Sequence, residues 1–371
     1  MKATSTVVLV ALGLGCLAMD ATTLAETNTA GTNAGGLVHM GQAAVGDLLQ
    51  RFGEARDKMK SFVLESRGVT KFDYTKMMKW AGTSYNQEEL RYDGNRSKWM
   101  ESIWGNVSKL ELNVKESRPD YTSHLWDGEA DYYYAGAIPP RPGSVTITRR
   151  DDPRRDRASD GSSNLVKHGS VGEIMGYHWA DNAVRLDELL KNRATQLQLR
   201  EKTDLVGGVN CQVIDAVVKG SGKYTIWIDP VHDFHIARIQ VRRGPGDHIL
   251  KELLPGDEYQ DETVELSKFE KVGEMWFPKD YVLTVQNTKS MSHWQRHIVF
   301  TKVMLNPDHQ ALKSFLPDDI ANGTPVRFRD LPPKNTFIWR DGKVLDQAGK
   351  AVFDSGLKGT NADMTTPAGK K

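Results

Sequence analysis

Residues 205–243 read LVGGVNCQVIDAVVKGSGKYTIWIDPVHDFHIARIQVRR. The apolar run 209–218 ends at Lys219-Gly220-Ser221-Gly222, a turn signal. A second run, 223–228, is closed by Asp229-Pro230, and a third covers 235–241. Runs rich in Val, Ile, Tyr and Trp between Gly- and Pro-centred breaks predict three antiparallel strands in a meander. No catalytic motif falls in this stretch, so it reads as a wall of sheet.

Outward from the meander, most of the chain repeats this pattern. On the N-terminal side, Val45, Leu48, Leu49, Phe52 and Met59 recur at helical spacing over 42–60, which predicts an amphipathic helix whose apolar stripe needs a partner. Strands are expected at 62–73, 88–92, 96–104, 110–115, 122–126 and 131–134, with Asp93-Gly94 and Asp127-Gly128 as hairpin turns. The segment 139–164 holds PPRPG and RRDDPRRDRASDGSSN; its Pro, Gly and mixed charge predict a surface excursion. A helix is expected over 172–194, capped by Asp181 or Asn182. On the C-terminal side three more strands are expected at 261–272, 275–286 and 297–305, then a short helical piece at 311–315. Weak strands at 336–340 and 343–346 flank Asp341-Gly342, and the last residues from about Gly359 are expected to be disordered. The pattern predicts an α+β chain, mostly antiparallel β, with too few helices to cover a wide flat sheet. A sheet curved into a half-open barrel around its own plugging helices meets both conditions.

The 371 residues carry a formal net charge of +1 and a hydrophobic content of 39%, which gives no electrostatic case for nucleic acid. Met1-Lys2 and the apolar run 7–19 have the form of a signal peptide; the run falls short of the roughly 20 residues a spanning helix needs. Two outcomes fit: cleavage after Ala25, or a lipid anchor at Cys16 within Leu14-Gly15-Cys16. The expected organisation is a signal peptide at 1–25, a flexible leader at 26–41, the half-barrel domain at 42–320 and a partly disordered extension at 321–371. After cleavage one thiol remains, Cys211, which reads as a buried small hydrophobe.

Several patches together resemble the LolA/LolB/RseB-like superfamily of envelope proteins. They are Trp126-Asp127-Gly128 with Tyr132-Tyr133-Tyr134, the strand from Gly207 to Ile214, Ile226-Trp227-Ile228-Asp229-Pro230, Arg238 and Arg242, and Gly273-Glu274-Met275-Trp276-Phe277-Pro278. The resemblance covers roughly residues 42–305. It implies a half-open barrel, export to the periplasm, and binding of an acyl chain, lipid or lipidated protein in an apolar concave face. RseB-like members of the same superfamily imply an alternative, a non-enzymatic module that binds envelope protein partners through its sheet.

Conventional chemistry finds little support in the residues. His232/His235 and His293/His297 are close pairs, but on strand or turn sequence, where residues four apart are roughly 13 Å apart, too far for one zinc ion. No nucleophile elbow, P-loop or dinucleotide fingerprint is present. Asp257-Glu258 and Asp318-Asp319 lie in polar loops. We therefore expect no enzyme, cofactor or metal, and at most a peripheral relation to a membrane. The aromatics are the remaining signal. The candidate ligand-contacting residues are Leu48, Leu49 and Phe52 on the helix and Trp126, Tyr132, Tyr134, Trp227 and Trp276 on strands.

Overall fold

The computed structural model describes residues 35–73, 82–105, 120–136, 143–150, 169–178, 184–249, 252–254, 256–289, 292–332 and 336–355. Helix α1 spans Gly35–Asp57. Strands β1 (Phe62–Asp73), β2 (Gly82–Tyr92), β3 (Ser97–Trp104), β4 (Asp120–Trp126), β5 (Ala130–Ala135) and β6 (Ser144–Arg149) follow. Helices α2 (Gly169–Ile174) and α3 (Leu186–Arg193) precede β7 (Ala194–Leu199), β8 (Asp204–Val206), β9 (Val209–Val218), β10 (Gly222–Asp229) and β11 (His235–Arg243). After a small hairpin of β12 (His248–Ile249) and β13 (Glu252–Leu253) come β14 (Gln260–Val272), β15 (Met275–Asn287) and β16 (His293–Leu305). The last strands among the described residues are β17 (Pro325–Phe328), β18 (Phe337–Arg340), β19 (Lys343–Leu345) and β20 (Ala351–Asp354).

Pairing runs in one continuous line: β20, β19, β18, β17, β6, β5, β4, β3, β2, β1, β16, β15, β14, β11, β10 and β9, with β7 and β8 sharing the far edge of β9. Every pairing is antiparallel except β17 with β6. Among the described residues nothing pairs the two ends, so this mostly antiparallel sheet is not closed.

The turns explain the hairpins. Asp93 Oδ1 accepts from the backbone N–H groups of Asn95 and Arg96 at 3.1 and 2.7 Å, and Asp127 Oδ1 accepts from those of Glu129 and Ala130 at 2.8 Å. Asp supplies an acceptor inside the turn while Gly94 and Gly128 take positive φ. The central meander has the strand order expected of it, and its second strand opens on Gly222, at φ +109°.

Four expectations need correction. The excursion at 139–164 contains β6, a strand inserted between β5 and β17; its alternation Val145, Ile147 against Ser144, Thr146 is short and masked by the charges that follow. The extension after residue 321 is joined to the sheet through that strand. The single helix over 172–194 is two short helices: Gly176, at φ +88°, ends the first region, and Ala194 is already extended. Residues 311–315 form turns. The leader sequence with Cys16, the strand at 110–115, the Asp181/Asn182 cap and the terminal residues from Gly359 lie outside the described residues.

Lys98 ties the C-terminal part to the sheet. Its ammonium is buried and donates to Leu316 O at 2.7 Å and to Asp318 Oδ1 at 2.5 Å, with Asp319 Oδ1 at 2.8 Å. Tyr121 and Ser123 also donate to Asp319 Oδ2. Lys98→Met removes the cation beside the largely buried Asp319 and the donor to Leu316 O, and is expected to cost about 2–3 kcal/mol, read as a lower urea midpoint. An unchanged midpoint would show that the clamp adds nothing.

Candidate functional site

The two sheet faces have different fates. Helix α1 lays Val45, Leu48, Leu49 and Phe52 against one face, in a single apolar cluster with Leu64, Leu90, Ile226, Ile239, Val264, Leu283 and Ile298. Residues i, i+3, i+4 and i+7 share a helix face, which is why these four meet the sheet together. The opposite face carries two separate clusters. One packs Leu125, Tyr132, Tyr134 and Ile147 against Phe315, Phe328 and Trp339; the other packs Cys211, Val213, Trp227 and Ala237.

Cross-strand neighbours share a face, so ladders can be followed across the sheet. One runs Val303, Leu64, Leu90, Trp99, His124, Tyr133, Thr146. Leu64 and Leu90 are buried under the helices, and farther along the ladder Tyr133 is 48% exposed. The helix-bearing face therefore has a closed apolar centre and an open wing of aromatic and polar side chains. On the wing His124 Nε2 and Asp131 Oδ1 are 2.5 Å apart, and the His124 ring meets Tyr133 edge-on.

A seam of buried polar groups crosses the same face. Glu262 projects between Val241 and Val285, its neighbours on either side, and both its carboxylate and the Arg243 guanidinium are fully buried. Arg243 Nη1 donates to Glu262 Oε2 at 2.8 Å, and His178 lies 3.4 Å from Glu262 Oε1. Glu173 faces Tyr281, whose phenol is pushed well up by burial first and by that neighbouring carboxylate second. Arg296 pairs with Glu88, and Asn86 Nδ2 donates to Glu88 Oε1 at 2.5 Å and to Glu101 Oε1 at 3.3 Å. Burial, and then the neighbouring Glu88, push the Glu101 carboxyl up to about 7. Clusters of this kind mark functional-site candidates.

The seam's far end receives helix α1. Arg56 donates from Nη2 to Asp233 O at 3.0 Å and from Nη1 to Ile174 O at 3.3 Å, and its Nη1 meets the His235 ring. His235 Nε2 lies 2.8 Å from Trp276 O, which assigns the N–H to Nε2 and leaves Nδ1 to accept from Arg56. Burial, and then the adjacent guanidinium, hold the His235 imidazole well below its usual range. Burial likewise lowers Arg56 to about 9. Asp233 and Phe234 both adopt positive φ, 51° and 54°, in the turn that offers these groups.

The eight aromatic and aliphatic candidates are thus not brought to one place. Leu48, Leu49 and Phe52 stand together on the helix-bearing face, and Trp126 shares that face through the ladder Phe62, Tyr92, Ser97, Trp126. Tyr132, Tyr134 and Trp227 project to the opposite face, into the two smaller clusters. Trp276 lies edge-on to His232 at the turn that receives Arg56. Each histidine of the two close pairs has its own partner: Asp229 for His232, Arg56 for His235, Asp73 for His293 and Asp280 for His297. The polar seam escapes sequence reasoning because its members come from α1, α2 and six strands. The one local signal is a Glu or Arg inside an apolar alternation, as at Glu262 and Arg296.

No protein-family model matches the chain, and no curated protein sequence does. Solved structures to which it is similar include a DUF1329 family protein from Desulfovibrio piger (12% identity over 72% of this chain and 93% of that one, TM-score 0.36). They also include the LolA superfamily protein NE2245 from Nitrosomonas europaea (12%, 74% and 98%, TM-score 0.36). A third is the Pseudomonas aeruginosa MucA/MucB complex (10%, 74% and 97%, TM-score 0.23). The strand order and site geometry above are the chain's own, and at these TM-scores the likenesses add nothing to them about activity.

Proposed function

We propose that this chain is a non-enzymatic, exported binding protein for an amphiphile: a lipid, an acyl chain or a lipidated protein. One observation carries the reading. The helix-bearing face passes from a closed apolar centre to an open aromatic and polar wing along one ladder, Leu64, Leu90, Trp99, His124, Tyr133. A ligand with an apolar tail and a polar head matches that gradient. Its tail would replace the side chains of Val45, Leu48, Leu49 and Phe52, with α1 acting as a plug that the ligand displaces. Each buried methylene contributes about 0.8 kcal/mol, so a long chain can compete with four apolar side chains without any charged contact. No described helix is long and apolar enough to cross a membrane.

Titration with a fluorescent fatty-acid probe tests this. Binding is expected at micromolar concentration. Leu48 is buried against the sheet, and Leu48→Glu disfavours the docked helix. It is expected to tighten binding about tenfold, because the cost of undocking α1 no longer reduces affinity; near-UV circular dichroism checks that the sheet stays folded. Failure of any amphiphile to bind, or an affinity indifferent to Leu48→Glu, would overturn the reading. A second reading, binding of an envelope protein through the sheet, draws on the open edge at β8, where Leu205 is 70% exposed. A failed lipid titration would favour it.

A further inference from the structure

Glu88 and Glu101 stand directly opposite each other across β2 and β3, on the helix-bearing face. Like charges in that position oppose strand pairing. Among the described residues, the groups bearing on Glu101 are Glu88, Arg296 and Asn86. Arg296 reaches Glu88 from β16, across β1. Strand β1 contributes no charge between them on this face: it places Ser66, Gly68 and Thr70 there. Gly68 is a built-in clearance, since a Cβ there would sit 2.0 Å from Asn86 Oδ1. From the far side β4 opposes Glu101 with Thr122, and Glu173 of α2 and Tyr281 of β15 face Arg296. One guanidinium and one amide therefore serve two facing carboxylates, in a place where one of them is held above its usual range by burial.

We propose that Glu88 and Glu101 share one proton and that its loss on rising pH loosens the β2–β3 wing, making the open side of the proposed binding face pH-sensitive. The proton sits on Glu101 and is donated to Glu88; on release it passes to solvent and leaves two facing carboxylates. A carboxyl whose folded-state pKa lies at about 7, against an ordinary 4.5, stabilises the paired strands fully below that ordinary value. The contribution is lost as pH rises through about 7. This adds regulation to the face assigned above and rests on that reading for its effect on a ligand. The test needs no ligand, so either idea can fail alone.

Amide hydrogen exchange of the full chain, corrected for intrinsic rates, reads the strand pairing directly. Protection of β2–β3 is expected to fall about tenfold from pH 6 to pH 8, while β9–β10 stays constant. In Glu101→Gln the difference should vanish. A wild-type wing with constant protection, or a Gln variant that keeps the fall, would overturn the proposal. Should Glu101→Gln not fold, carboxyl NMR of the wild-type chain decides: a midpoint near 7 supports the shared proton, and an ordinary one refutes it.

Discussion

Replacing Arg243 by leucine is expected to lower the unfolding free energy by about 3–5 kcal/mol. The cost does not come from losing an attraction so much as from what remains. Glu262 is fully buried between Val241 and Val285, and Arg243 Nη1 bonds it at 2.8 Å. Without the guanidinium, a buried carboxylate stays in the apolar cluster without its cation, with His178 3.4 Å away. Gln260 loses the same donor. The pair itself adds little net stability, because both ions were desolvated to form it. The double variant Arg243→Leu/Glu262→Leu is therefore expected to recover most of the loss. Urea unfolding of the three chains checks this. A double variant as unstable as the single one would mean that the seam holds the fold through its geometry and not its charge.

The seam also shows what could be read from sequence. Strand β1 was legible because Phe62 and Leu64 alternate with Glu65 and Arg67, and the meander because Gly222 and Asp229-Pro230 punctuate it. The stripe of α1 was legible because Val45, Leu48, Leu49 and Phe52 lie on one helix face. All three signals are local. Which face of each strand meets the helices is not local. Tyr132 and Trp227 are buried aromatics on strands, as expected, yet register turns them to the face opposite α1. A one-residue change in register reverses every side chain of a strand, so a list of strand aromatics cannot say which of them share a cavity. The seam depends on the same information. Glu88 meets Arg296 across β1, and Arg56 meets His235 from 179 positions away. Strand β6 is hidden in the sequence for a different reason: its six residues of alternation sit inside a segment whose composition is that of a loop.

The helix that opens the chain's proposed binding face gives the other large effect. Arg56→Leu is expected to cost about 3 kcal/mol, because Asp233 O, Ile174 O and His235 lose a buried donor together. The loss should be local. Arg56 lies near the C-terminal end of α1, and the stripe that precedes it, Val45, Leu48, Leu49 and Phe52, is buried in the apolar cluster. Hydrogen exchange should thus report α1 and the turn at 232–235 opening well before β9 and β10. That turn holds Asp233 and Phe234 at positive φ, a conformation non-glycine residues keep only when their surroundings hold it. The pH dependence has a definite sign. His235 is buried as the neutral imidazole, its folded pKa depressed by burial first and by Arg56 second. Its contribution is therefore present above the ordinary value of 6.5 and is lost as pH falls below it. Removing Arg56 removes the second cause, so acid should destabilise Arg56→Leu less steeply than the wild type. Unfolding midpoints at pH 7.5 and pH 5 for both chains measure the difference; a steeper acid loss in the variant would show that the guanidinium protects the imidazole from charging by shielding it, and not by repulsion.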